Sequence, residues 1–250
     1  MSIYVIGDLH LSFGQDKPMN IFGENWNDHA NKIKNNWIKK VKEDDLVVLP
    51  GDLSWAMHLE DAFEDFKYLS KLPGTKLLLK GNHDYWWSTL NKMKNYLNEN
   101  GFKKIDFIYN SAYLYNNKII VGTRGWSLQD SENSNKMIHR ENERLKLSIE
   151  DGIKQFGIDK EIICFMHYPP INSKNIMKNN HLEFFSTMKQ YNVKRCYYGH
   201  LHGKSHMEAI NEIVEGIKFQ LVSSDYLNFD LIKIEAVSYT HLRAHETRRH

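Results

Sequence analysis

The sequence predicts an α/β layered domain in which two mixed β-sheets pack together with helices outside. Three observations predict it. Apolar runs at 2–6, 46–49, 76–79, 162–166 and 196–198 are short, unbroken and rich in Ile, Val, Leu or Tyr, as strands buried on both faces are. Helical periodicity fills the chain between several of them, which implies a layered α/β arrangement. The stretch 105–122 and the pieces after Gly203 instead carry the punctuation of antiparallel hairpins.

Taken in order, Met1–Ile6 reads as a first strand, with neither the basic segment nor the cleavage site of a signal peptide. Trp26, Ala30, Ile33, Trp37 and Val41 recur at three- and four-residue steps and mark the apolar stripe of a first helix. Leu59, Ala62, Phe63, Phe66 and Leu69 mark a second, which Pro73-Gly74 ends. Further helices are predicted at 88–98, about 139–156 and about 180–191. Ile105–Tyr109, Ala112–Tyr115 and Lys118–Val121 are strand-like, and Asn116-Asn117 between the last two is a tight-turn signal. Strand-like pieces follow at 204–210, 217–222 and 230–235. The polar stretch Gln129 to Lys136 is the expected loop.

One domain, residues 1–235, is expected, followed by a tail at 236–250. That tail lacks apolar periodicity and resembles translated linker sequence, so it is set aside together with His241, His245 and His250. It also holds the net charge. The chain carries +2, and Arg243, Arg248 and Arg249 against Glu246 account for all of it. A neutral residues 1–235 argues against a nucleic-acid partner, whose backbone is bound through many Lys and Arg contacts. No run is long enough to span a membrane. The only cysteines, Cys164 and Cys196, lie inside apolar runs and read as buried thiols, so a cytoplasmic protein is expected.

Function is written at the ends of the apolar runs. Gly7-Asp8-Leu9-His10, Gly51-Asp52, Gly81-Asn82-His83-Asp84, His167 and Gly199-His200-Leu201-His202 each follow one. In α/β sheets ligands sit beyond the carboxyl ends of the strands, so these side chains are expected at one rim. Asp8 and His10 are two apart, as are His200 and His202, and an extended backbone would point each pair to one side. Carboxylate, amide oxygen and imidazole, with no thiolate, suit Mn²⁺ first, with Fe or Zn²⁺ as alternatives. Asp52 could bridge two such ions, and a water between them would become the nucleophile in attack on phosphorus. His83, flanked by Asn82 and Asp84, is a candidate protonated imidazole that donates to the leaving or a phosphoryl oxygen.

In their order and approximate spacing these motifs resemble the signature of the calcineurin-like metallophosphoesterases, over residues 1 to about 235. The resemblance implies a four-layer αββα sandwich. It implies that Asp8, His10, Asp52 and His202 hold one divalent metal, that Asp52, Asn82, His167 and His200 hold the other, and that His83 is catalytic with Asp84 its partner. Gly51-Asp52-Leu53-Ser54-Trp55 and the closing Asp84 depart from the protein serine/threonine phosphatase pattern and are more similar to compact bacterial phosphohydrolases of unassigned substrate. The expected activity is hydrolysis of a small phosphate monoester or diester. A nuclease of the same superfamily and a non-catalytic metal-binding scaffold are the alternatives; oligomeric state stays open.

Around the motifs, Trp55, Trp86 and Trp126 are candidates for a pocket wall that stacks on substrate, with core packing as the alternative. Adjacent Trp86 and Trp87 are expected to leave at least one ring at the cleft. Arg124, between Gly122-Thr123 and Gly125, could fork onto a phosphate oxygen or form a salt bridge. His58, His181 and His206 belong to no motif and are expected at the surface or behind the ligands, and His29, beside Asp28 in the first helix, is expected in solvent.

Overall fold

A computed structural model describes residues 1–128, 132–173 and 183–235. Alternating apolar residues and the hairpin signals sort the strands into two sheets. The first contains β1 (Ile3–Val5), β2 (Leu46–Pro50), β3 (Thr75–Leu79) and β4 (Ile105–Phe107), all parallel, with β11 (Ile232–Ile234) antiparallel beside β1. The second contains β5 (Tyr113–Tyr115), β6 (Lys118–Thr123), β7 (Glu161–Met166), β8 (Arg195–Tyr198), β10 (Ile217–Leu221) and β9 (Ile213–Val214), in that spatial order. Its four central strands are parallel, and β5 and β9 close the two edges antiparallel. The β5–β6 turn has Asn116 and Asn117 at φ 48° and 60°, the left-handed pair that a two-residue hairpin requires.

Period-two alternation buries both faces of each sheet. Between the sheets, Val5, Leu46, Val48, Leu77 and Leu79 meet Ile120, Ile163, Phe165 and Tyr197. On the outer face of the first sheet, Tyr4, Val47, Leu49 and Leu78 pack with Ile33 and Trp37 of α1 (His29–Lys40), Phe66 and Leu69 of α2 (Phe63–Ser70), and Met93 and Leu97 of α3 (Leu90–Glu99). On the outer face of the second, Ile119, Val121, Cys164 and Cys196 meet Leu145 and Ile149 of α4 (Glu132–Phe156) and Phe184 and Met188 of α5 (Glu183–Gln190). The layers are therefore helix, sheet, sheet, helix. Both cysteines are free and buried. Among the described residues no helix is long and apolar enough to cross a membrane.

The sheets are joined where the site forms. Gly7 bridges Ser223, its amide donating to Val222 O at 2.7 Å, and its carbonyl accepts the Ser224 amide at 3.0 Å and the Ser224 hydroxyl at 2.6 Å. This seam ties the end of β1 to the end of β10.

Several expectations change. Glu132 to Lys136 are the first turns of α4, not loop, and a Glu132–Lys136 contact at 2.7 Å supports the helix one turn apart; residues 129–131 lie outside the described residues. The predicted strand at 204–210 begins instead as a 3-10 turn, Gly203–Glu208, pinned by Ser205 Oγ, which donates to His202 O and accepts the His202 amide. Residues 180–182 of the predicted fifth helix, His181 with them, and the tail 236–250 also lie outside the described residues.

Trp37 has no exposed surface and its indole N–H donates to Pro73 O at 2.9 Å, tying α1 to the turn before β3. Trp37→Ala is expected to lower the unfolding free energy by about 3–5 kcal/mol, and Trp37→Phe by about 1–3 kcal/mol through the orphaned carbonyl. Denaturant titration of the three proteins measures both.

Candidate metal centre

Asp8 and His10 follow β1, Asp52 follows β2, Asn82 follows β3, His167 follows β7, and His200 and His202 follow β8. The seam between the sheets sets these strand ends side by side, and all seven side chains meet there in two groups. In the first, His10 Nε2 lies 3.3 Å from His202 Nε2 and 3.8 Å from Asp52 Oδ2, while His202 Nε2 is 3.7 Å from Asp8 Oδ1. In the second, Asn82 Oδ1 lies 2.7 Å from His167 Nε2 and 2.8 Å from His200 Nδ1, and the two nitrogens are 3.3 Å apart. Asp52 Oδ2 is also 3.5 Å from His167 Nε2, so one oxygen borders both groups. Donors about 2.0–2.2 Å from a common cation sit about 3.0–3.5 Å from one another, so the spacing suits atoms that share a cation.

The tautomers agree. His167 Nδ1 is 3.2 Å from Pro50 O, which can only accept, so the proton sits on Nδ1 and Nε2 presents a lone pair. That lone pair faces the Asn82 oxygen, a contact that a shared cation satisfies. His202 Nδ1 is 2.8 Å from Asp225 Oδ1, which turns its Nε2 inward in the same way.

Electrostatics also favour a cation. Asp8 and Asp52 are 0% and 1% exposed. Burial, then repulsion from Asp8, pushes Asp52 up to about 8. Burial alone would raise Asp8, but the hydrogen bond and positive charge of His202 hold it below the usual carboxylate range. Burial lowers His10 and His167 and takes His200 down to about 3, so these rings are neutral, as metal ligands must be. His202 is the exception: burial opposes its charge, but Asp225 and Asp8 push it up to about 10.

The backbone is bent to achieve this. Asp8, His10, Asp52 and His200 have φ of 57°, 46°, 51° and 75°. The extended backbone expected at Asp8-Leu9-His10 is therefore absent; left-handed turns, not strand alternation, bring both side chains to the rim. Non-glycine residues reach this region at a cost and concentrate at functional sites. Close approach explains two glycines. A Cβ on Gly81 would lie 2.0 Å from Asp52 Oδ1, and one on Gly199 would lie 2.3 Å from Asp8 Oδ2.

Asp84 does not partner His83. Its carboxylate is buried and accepts the amides of Asp52, Leu53, Ser54 and Gly81 and the indole N–H of Trp86. Burial and nearby Asp52 raise it to about 7, against these five donors, which all favour the carboxylate form. Asp84 knots the loops after β2 and β3 together. The His83 ring packs on Trp55 at 4.3 Å and its amide donates to Asp52 Oδ1 at 2.8 Å. Burial, with the nearby His167, Lys17 and His202, holds His83 down to about 4. It is a neutral imidazole, not the protonated one expected.

The tryptophans divide. Trp86 and Trp87 are both in the core, at 2% and 9% exposure, so neither ring reaches a cleft and Trp86 is no substrate wall. Trp55 stacks on His10 at 4.9 Å while Lys17 Nζ lies 3.1 Å from its centroid, so it braces the ligands. Trp126 lines a cavity beside His200, with Tyr168. Arg124 packs over Trp126 at 4.6 Å and lies 3.6 Å from buried Glu141, the salt-bridge alternative. His58 is exposed; His29, expected in solvent, is buried against Trp26 and Phe229. His206 Nε2 lies 3.2 Å from Asp225 Oδ2. Asp225 itself escapes motif reading because neither glycine nor histidine marks it. Its signal is position: it follows β10, another parallel strand ending at the same rim.

A model of the calcineurin-like phosphoesterase family matches residues 1–204. Among solved structures, the chain is similar to phosphopantetheinyl hydrolase (PptH) from Mycobacterium tuberculosis, at 13% identity over 95% of this chain and 98% of that one, with a TM-score of 0.56. It is also similar to TT1561 of Thermus thermophilus, at 13% identity over 94% and 99% of the two chains, with a TM-score of 0.55. At such identity these likenesses establish the fold alone. No curated protein matches. With the family match spanning most of its length, the chain belongs to the calcineurin-like phosphoesterase family.

Proposed function

We propose that the chain is a hydrolase of small phosphate esters, working with two divalent cations, Mn²⁺ first among them. One observation carries this reading: Asp52 Oδ2 lies within 3.8 Å of His10 Nε2 and 3.5 Å of His167 Nε2, between two groups of inward-facing donors. Asp8, His10, Asp52 and His202 would hold one ion, and Asp52, Asn82, His167 and His200 the other. Bound there, the cations would supply charge neutralisation at the phosphoryl group and acidify a water.

The chain's own groups do the rest. Pro50 O and Asp225 fix which nitrogen of His167 and His202 faces inward. The amides of His83 and His200 hold Asp52 and Asp8 in place. His83, as a neutral imidazole braced on Trp55, offers one N–H to a phosphoryl or leaving oxygen. The complete donor set favours an enzyme over a scaffold, and the neutral residues 1–235 favour a small ester over a nucleic acid.

Metal analysis by mass spectrometry and turnover of an aryl phosphate monoester and diester, with Mn²⁺ present, test this. Activity is expected to vanish on chelation and in Asp52→Asn; activity surviving both would refute the proposal. His83→Ala is expected to keep its metal and lose about 10²–10³ in kcat, the scale of one lost donor to developing charge. Loss of metal instead would make His83 a ligand.

Asp225→Ala is expected to weaken Mn²⁺ binding about 10–100-fold, because His202 loses the carboxylate that orients it. Unchanged affinity by calorimetry would show that Asp225 does not act through the metal.

Metal loading must also release protons. The folded chain without metal holds Asp52 near 8 and His202 near 10, and both bind cations only when deprotonated. Mn²⁺ affinity is therefore expected to rise from pH 6 to pH 8. For Asp52, whose folded value is raised, stability of the metal-free chain falls as pH climbs from about 4 to about 8. The metal-induced increase in Tm should grow across the upper part of that window, read by thermal scans with and without chelator.

A further inference from the structure

We infer that the cavity beside His200 binds the organic part of the substrate, and that this part carries a flat, uncharged ring. The inference rests on the phosphoesterase reading above and names the class of ester.

The cavity has a volume of about 450 Å³, and its walls include Trp126, Ser127, Asn133, Met137, Tyr168 and His200. That volume lies in the range of small-molecule sites, about 300–1,000 Å³. It abuts the candidate metal centre through one residue: His200 turns Nδ1 to Asn82 Oδ1 at 2.8 Å and also borders the cavity. An ester whose phosphoryl group sits among the metal donors therefore has this space within reach of its organic group.

Two aromatic walls define the shape. Tyr168 packs on His200 at 4.1 Å, and its ring centroid is 6.1 Å from that of Trp126, with planes 39° apart. A ring stacked on either meets the other obliquely, the arrangement aromatic groups favour. Trp126 is held for this. Arg124 packs over its indole at 4.6 Å, and Arg124 is itself anchored 3.6 Å from Glu141, which takes a second arginine, Arg144, at 2.8 Å and the Thr123 hydroxyl at 2.6 Å.

Charge and polarity define the rest. Among the described residues the wall has no carboxylate, ammonium or guanidinium, so a charged group would find no ion partner on it, whereas an uncharged ring needs none. A flat ring gains contact on the two aromatic walls that a flexible alkyl chain does not, and Met137 adapts to its outline. On the opposite flank of the metal centre, the Trp55 ring is already covered by His10 and Lys17.

Non-hydrolysable phosphonates test this by calorimetry on the Mn²⁺-loaded chain. Phenylphosphonate is expected to bind about tenfold or more tightly than methylphosphonate, the scale of one stacked ring, and more tightly than butylphosphonate. Trp126→Ala should abolish the phenyl preference while methylphosphonate affinity and Mn²⁺ stoichiometry stay as in the wild type; Trp126→Phe should restore part of it. Equal binding of phenyl- and methylphosphonate by the wild-type chain overturns the ring site, as does butylphosphonate matching phenylphosphonate, and both results stand whether or not the variants fold. A phenyl preference that survives in folded Trp126→Ala overturns it too. Failure to bind Mn²⁺ at all is a different result: it removes the phosphoesterase reading and the ring site with it.

Discussion

Two carboxylates, Asp8 and Asp52, are buried side by side at the ends of neighbouring strands, and most of the local structure answers to that fact. Isolated buried charge is among the most unfavourable things a fold can hold. Here the neutral rings of His10, His167 and His200 cannot balance it, and protonated His202 is already shared with Asp225. Repulsion from Asp8 therefore adds to burial in pushing Asp52 up to about 8. Four left-handed non-glycine residues, each costing about 1–3 kcal/mol, are added to bring the donors inward. A chain optimised only to fold would not accumulate these features; a chain selected to hold cations would, because the ions offset both the charge and the strain.

Holding such donors still requires rigid supports, and the fold places them one layer behind. The Gly7–Ser223 seam locks the two sheets together at the rim, so ligands from β1 and β2 cannot drift from those of β7 and β8. Asp84 performs the equivalent task within the first sheet, by accepting amides from the loops after both β2 and β3. Pro50 O and Asp225 set the imidazole tautomers. None of these groups faces the cluster, yet removing any of them would loosen it. This explains why a carboxylate as conspicuous as Asp84 in Gly81-Asn82-His83-Asp84 turns out to brace backbone and not a proton donor.

The strand-end motifs made the donors legible in sequence, because each combines a glycine where the chain must turn with a donor where the sheet ends. The layers were legible too: Ile119 and Ile120 face opposite sides, and both sides are buried. What the sequence hid was geometry that pairwise spacing does not encode. Asp8 and His10 converge through left-handed turns, so an alternation argument reaches the correct rim for the wrong reason. Trp86 and Trp87 both go inward because the loop after β3 is knotted at Asp84 and does not follow a single helical face. Glu132 to Lys136 look like loop by composition, but a one-turn ion pair and packing farther along α4 carry the helix through them. Asp225 had no motif to announce it; only knowing that β10 runs parallel to β8 places it behind His202.

The three candidate wall tryptophans show how the same residue type is allocated by what already surrounds it. Trp86 donates its N–H to Asp84 and packs its ring against Phe66. Trp55 is sandwiched by His10 and Lys17, and its N–H points at the Met19 sulfur, 3.1 Å away. Both are committed before any ligand arrives. Trp126 has a cation behind it and a cavity beside it. The rings of His10 and His83 thus have Trp55 packed on them, while a cavity lies beside His200. An asymmetric centre of this kind favours one orientation: Trp55 packs on His10 and His83, whereas Tyr168 and Trp126 flank a cavity beside His200, so the organic group of a bound ester would find its space past Tyr168.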